Sequence, residues 1–179
     1  FNQELPLEGV YNQSRLEILE DDSRGEMMQN AIGQGRTQIT PIHLAMITSS
    51  VANGGILMKP YMVRQVESAD GVVVKTFSSE EYGELMSSEE AAILADYMKE
   101  VVENGTGTKL SGLSYTAAGK TGSAEFGTLK GESHAWFTGF APAEDPGLVV
   151  TVIIEGAGSG GDYAVPVARR VFDAYFNED

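Results

Sequence analysis

The segment Ala117-Ala118-Gly119-Lys120-Thr121-Gly122-Ser123-Ala124-Glu125 places a cation, hydroxyls and a glycine in consecutive positions of a strand-like stretch. A Lys-Thr-Gly run on a strand is one third of a signature for acyl transfer through a serine. The other two thirds are Ser-x-x-Lys, which supplies the nucleophile, and Ser-x-Asn, which handles protons. Neither occurs here: no serine is followed three residues on by lysine, or two residues on by asparagine. The chain is therefore expected to be the C-terminal part of a catalytic domain, starting downstream of its nucleophile.

Two other readings of the same letters compete. Gly119-Lys120-Thr121 could end a phosphate-binding P-loop, but the glycine that such a loop needs upstream is replaced by Ser114. The residues after Thr121 start no helix, so the dipole that would hold a phosphate is absent. In the plainest reading, Lys120 is an edge-strand lysine that discourages aggregation and Gly122 marks a close approach of another chain segment.

The elements around the segment are legible from periodicity and caps. Residues 1–36 are polar and without period, and read as loop. Thr40-Pro41 opens a helix that Asn53-Gly54-Gly55 closes, and its apolar residues on most faces suggest burial. A hairpin is expected at 61–66 and 72–77, turning near Asp70-Gly71. Ser87 and Glu90 fit a capping box for a helix in which Ile93, Leu94, Tyr97, Met98, Val101 and Val102 repeat at helical spacing, until Gly105 stops it. Residues 115–126, 134–141 and 148–155 read as three strands of an antiparallel meander joined by turns containing glycine or proline. A last helix starts near Asp162, with Pro166 early in it, and carries Tyr163, Ala164, Val167, Ala168, Val171, Phe172, Tyr175 and Phe176 on one stripe to lie across the sheet. This order gives an α+β class, an antiparallel β-sheet with packed helices.

Length and charge narrow the partners. The 179 residues suit one domain with a sizeable core. The net charge of −14, from 26 acidic against 12 basic residues, argues against nucleic acid and anionic lipid surfaces. Without cysteine there is no disulfide framework, a composition compatible with an extracytoplasmic bacterial protein. Two histidines without cysteine or a spaced carboxylate motif make no zinc site, so neither metal nor cofactor is implied. His134 reads as a strand histidine with a local partner, and His43 as part of a helix surface. No stretch reaches the ~18 apolar residues of a membrane span. Membrane attachment is expected only through an anchor upstream of Phe1.

Context raises the motif above three letters. His134-Ala135-Trp136-Phe137-Thr138-Gly139-Phe140-Ala141-Pro142 follows as a neighbouring strand should, and Ala31-Ile32-Gly33-Gln34-Gly35 precedes the first buried helix. In this order the chain resembles the C-terminal portion of the penicillin-binding protein transpeptidase domain, most closely the class B, transpeptidase-only type, from about Gly33 to Phe176. The resemblance implies a partial domain over 1–179, with 1–36 an irregular lead-in and 37–179 carrying the helices and sheet of a β-lactamase-like fold. It also implies a parent at the extracytoplasmic face of the bacterial membrane.

What the resemblance implies chemically is attack of a serine on the penultimate D-alanyl carbonyl of a peptidoglycan stem peptide ending in D-Ala-D-Ala, a group that β-lactam antibiotics mimic. Lys120 would set a positive potential, the Thr121 and Ser123 hydroxyls would bind the substrate carboxylate, and the Ser123 N–H would be one oxyanion donor. Gly122 would admit the substrate closely, and the extended peptide would pair alongside Ser123 and Ala124. Ser123 stands where many members have threonine, which keeps the hydroxyl. Trp136 and Phe137 read as packing. The alternative is a non-catalytic structural or interaction module with the same half-fold. For the isolated chain, a homodimer through an uncovered 41–52 helix is expected.

Overall fold

A computed structural model describes residues 1–7, 9–126 and 132–177. Its centre is a three-stranded antiparallel sheet in the order β5-β6-β7, formed by β5 (Ala118–Glu125), β6 (Ser133–Ala141) and β7 (Leu148–Ile154). This is the expected meander. The turn expected between its first two strands falls at 127–131, outside the described residues.

Alternation along β6 divides the core. Ala135, Phe137 and Ala141 face helix α4 (Val165–Phe176), where Val150, Val165, Ala168 and Phe172 close the larger cluster. Phe140 faces the other way, toward Val51 of helix α2 (Pro41–Ala52) and Ala95 and Met98 of helix α3 (Ser88–Glu103). Phe137, Phe140 and Phe172 are fully buried, each worth roughly 1.5–3 kcal/mol of hydrophobic stabilisation. A chain of hydroxyls pins α2 to the sheet, with Thr48 Oγ1 2.7 Å from Thr138 Oγ1, itself 2.7 Å from Thr151 Oγ1. Tyr115 donates to Asp173 Oδ1 at 2.7 Å, tying the approach to β5 to α4.

The caps of α2 and α3 are those expected, Thr40 with Pro41 in the first turn and the Ser87/Glu90 capping box. Four expectations need correction. Residues 1–36 are not all loop. They contain the helix α1 (Arg24–Ala31), opened by a Ser23/Glu26 capping box, and Arg15 pairs with Gln38 as an isolated bridge. With eight residues and none buried, α1 has no apolar stripe to announce it. The last helix begins later than Asp162: a π-helical turn at Gly160–Ala164 precedes α4, placing Pro166 in the first turn proper. On α3, Ile93, Leu94 and Tyr97 are exposed although they share the helical period of buried Val102. Finally, α2 is not the uncovered helix. Met46, Thr48, Ser50 and Val51 are buried, and exposed large apolar residues also lie on α1, on α3, in the small hairpin and on α4.

That hairpin pairs β2 (Gln65–Glu67) with β3 (Val73–Thr76), turning at Gly71. It is bracketed by a pair the sequence reading lacks, β1 (Ile56–Met58) with β4 (Glu81–Glu84). Among the described residues no helix is long and apolar enough to cross a membrane.

Candidate functional site

β5 is an edge strand, and its ladder dictates which backbone groups are available. Phe126 N–H donates to Glu132 O, and the Ser133 carbonyl accepts from Gly158 N–H on its other side. Because pairs in an antiparallel ladder alternate, the backbone groups of Lys120, Gly122 and Ala124 turn toward β6, while N–H and C=O of Thr121 and Ser123 turn to the open edge. Two groups already sit there. Lys120 Nζ donates to Thr121 O at 2.6 Å, and Gln34 Nε2 donates to Ser123 O at 3.1 Å.

Side chains of β5 alternate in the same way. Lys120 pairs with Thr138 in register and is exposed on the face of the sheet that carries α2. Thr121 and Ser123 lie on the opposite face, in register with Phe137 and Ala135. There the Thr121 side chain is buried and its Oγ1 is 2.5 Å from Thr106 Oγ1, while the Ser123 hydroxyl accepts from Gly160 N–H at 3.3 Å. The cation and the two hydroxyls thus flank one edge from opposite faces, with the backbone N–H and C=O of Ser123 between them.

Loops from elsewhere in the chain complete this neighbourhood. Thr106 lies just beyond the C-terminus of α3, and Gly160 opens the π-helical turn before α4. Lys109 Nζ donates to Asp162 Oδ1 at 2.8 Å and Arg169 Nη1 to Lys109 O at 2.8 Å, so the two loops are tied together over the sheet. A methyl group on Gly160 would fall on the carbonyl oxygens of Gly122 and Trp136, and one on Gly161 would come within 2.6 Å of Thr106 O. Only glycines allow this approach.

Lys120, Thr121, Gly122 and Ser123 thus share one edge strand, and Gly122 lies against Trp136, with 3.3 Å from a Cβ placed on it to Trp136 Cβ. Phe137 is wholly buried as packing, and His134 has its local partners, accepting at Nδ1 from Gly156 N–H at 3.1 Å and stacking on Phe126. His43 is half-buried against Phe1, and burial pushes its pKa below the ordinary imidazole value. Thr106, Gly160 and the reach of Gln34 were not read from the sequence as site residues. Their local signals, a glycine-flanked threonine and a glycine pair, read only as turns. A polar cleft of about 470 Å³ is lined by Asn2, Arg15, Glu17, Arg36 and Gln38 among others, and by no residue of β5.

This arrangement defines a class. Residues 7–173 match the family model of the penicillin binding protein transpeptidase domain, and the chain belongs to that family. It is 34% identical over 175 residues to the peptidoglycan D,D-transpeptidase MrdA of Haemophilus influenzae, covering 87% of this chain and 26% of that protein. It is 35% identical over 156 residues to the peptidoglycan D,D-transpeptidase PbpA of Mycolicibacterium smegmatis, covering 83% and 32%. The fold superposes on penicillin-binding protein A from Mycobacterium tuberculosis with a TM-score of 0.79 at 31% identity, over 91% of this chain and 40% of that one. On the imipenem acyl-enzyme complex of that protein the TM-score is 0.75 at 33% identity, over 82% and 33%. The chain spans about a quarter to a third of the length of these curated relatives.

Proposed function

We propose that this chain supplies the carboxylate- and oxyanion-binding side of a serine D,D-transpeptidase that cross-links peptidoglycan stem peptides, and that β-lactams occupy the same place. The observation that carries the reading is the open edge of β5, where Ser123 presents both backbone groups between a lysine on one face and two hydroxyls on the other. An extended peptide ending in D-Ala-D-Ala is a partner for such an edge.

In the proposed reaction, a serine supplied from outside this chain forms a C–O bond to the penultimate D-alanyl carbonyl. The C–N bond to the terminal D-alanine then breaks as its nitrogen takes the serine's proton. An amine of a neighbouring stem peptide later displaces the serine oxygen, which recovers a proton. During both steps the carbonyl oxygen carries negative charge, and the Ser123 N–H donates to it; losing such a donor costs roughly 3 kcal/mol in other serine hydrolases. The Thr121 and Ser123 hydroxyls hold the substrate carboxylate, each charge-assisted bond contributing about 1.5–3 kcal/mol. Lys120 supplies the positive potential. The reading carries with it a location on the extracytoplasmic face of the bacterial membrane.

Labelling with a fluorescent penicillin tests it. In the full-length protein, Ser123→Ala should lower the acylation rate constant by roughly tenfold or more while the backbone donor stays, and Lys120→Met should lower it at least as far. The 179-residue chain alone should show no covalent adduct by mass spectrometry, because none of its serines has a lysine three residues on. Wild-type protein that is never labelled would favour the non-catalytic module instead, and variants that label as fast as wild type would remove Ser123 and Lys120 from the site.

A further inference from the structure

The bond from Gln34 Nε2 to Ser123 O joins residues 89 positions apart and lands on the acceptor that a peptide strand added to β5 would need. An incoming residue opposite Ser123 offers its own N–H to that oxygen while accepting from the Ser123 N–H. Gln34 and such a strand compete for one carbonyl.

The loop that presents Gln34 is built rather than loose. Gly33 and Gly35 flank it at φ 79° and 65°, in the left-handed region that glycine enters without strain. Gly33 N–H donates to Asn30 O at 3.1 Å, Gln34 N–H to Gln29 O at 2.8 Å and Arg36 N–H to Asn30 Oδ1 at 3.1 Å, so the end of α1 grips the loop. A side chain on Gly35 would come within 2.9 Å of Asn30 Oδ1. Below the loop, the Arg36 guanidinium pairs with Asp22, whose side chain is only 2% exposed, and reaches Glu26 of the capping box at 3.4 Å. A carbonyl at an exposed edge would be satisfied by water in any case, so the unmet need of that oxygen does not account for so much supporting structure.

We propose that Gln34 is a specificity-determining residue of the β5 edge, capping the Ser123 carbonyl when no ligand is present and yielding it to ligands that bring an amide N–H to that position. Ligands with such an N–H pay for the displacement of Gln34; ligands without one leave the cap in place. The inference rests on the transpeptidase reading above.

The test compares two β-lactams in the full-length protein. Penicillin G carries an exocyclic amide N–H beside its ring, whereas imipenem carries a hydroxyethyl group there, and both carry the carboxylate. Second-order acylation rate constants are measured for wild type, Gln34→Ala and Gln34→Glu, with melting temperatures recorded for each. Removing the competing donor should raise the penicillin-to-imipenem ratio about fivefold in Gln34→Ala. It should also raise it in Gln34→Glu, which keeps the shape but cannot donate when ionised; its added charge opposes both carboxylates alike and cancels in the ratio. An unchanged or lowered ratio in both variants overturns the proposal, including the case where both rates fall together, which is what a purely structural role would give. A wild-type protein acylated by neither compound would refute the transpeptidase reading itself, so the two failures are distinguishable.

Discussion

A methyl group at Gly160 has no room, because it would fall on the carbonyl oxygens of Gly122 and Trp136, where the π-helical turn crosses the β5–β6 ladder. Either the turn lifts or the ladder bends. Gly160→Ala should therefore destabilise the fold by about 1–3 kcal/mol, the usual cost of overpacking. The matched control is Gly83→Ala, where a built Cβ meets nothing within 4 Å. Thermal melting should separate the two variants by several degrees, and amide exchange at position 160 should quicken only in the first, since that N–H bonds the Ser123 hydroxyl. Equal melting temperatures would mean that the turn is not held against the strand. At this scale the types of Lys120, Thr121, Gly122 and Ser123 were legible because one strand carries all four. Thr106 and Gly160 were not, because their part depends on loops meeting over the sheet, which no local pattern encodes.

Elements are joined by a few polar clamps, and the one at Glu144 is sensitive to pH. Its carboxylate accepts from Thr116 Oγ1, just before β5, and from Lys99 Nζ of α3 at 2.9 Å. The hydroxyl of Thr116 and the Lys99 ammonium hold its pKa at about 2, against an ordinary 4.5. A carboxyl with a depressed folded pKa adds stability above its unfolded pKa, and that stability is lost as pH falls through the folded value. The melting deficit of Glu144→Gln relative to wild type should thus be constant above about pH 4.5 and close progressively toward pH 2. A deficit independent of pH over that window would show that the charge is not what holds the clamp. The legibility of elements followed their length and periodicity. Ser87 with Glu90 was readable because sixteen helical residues follow it. Ser23 with Glu26 is the same device, yet it heads a helix of eight residues with none buried. Likewise β1 and β4 are strands of three and four residues, β4 exposed throughout, too short for alternation to register.

The whole molecule sets a large negative charge against exposed apolar side chains on several elements. Ile93, Leu94 and Tyr97 are 45%, 41% and 66% exposed along α3, Met27, Met28 and Ile32 are exposed on and just beyond α1, and Val72, Val73 and Val74 on the hairpin. Extended exposed apolar patches are uncommon on monomeric soluble proteins, and these would favour self-association of the 179-residue chain. The charge of −14 opposes it through repulsion between copies. Salt decides between the two, since the screening length shrinks from about 30 Å at 0.01 M to about 3 Å at 1 M while apolar attraction persists. Sedimentation velocity should find the chain monomeric at low ionic strength and increasingly dimeric as salt is raised. Placing charge on α3 with Leu94→Lys and Tyr97→Lys tests the surface itself: if α3 is the contact, the double variant should stay monomeric at high salt even though its net charge is smaller in magnitude. A wild-type chain that remains strictly monomeric at 1 M salt would refute the association, and a double variant that still dimerises would move the contact to α1 or the hairpin.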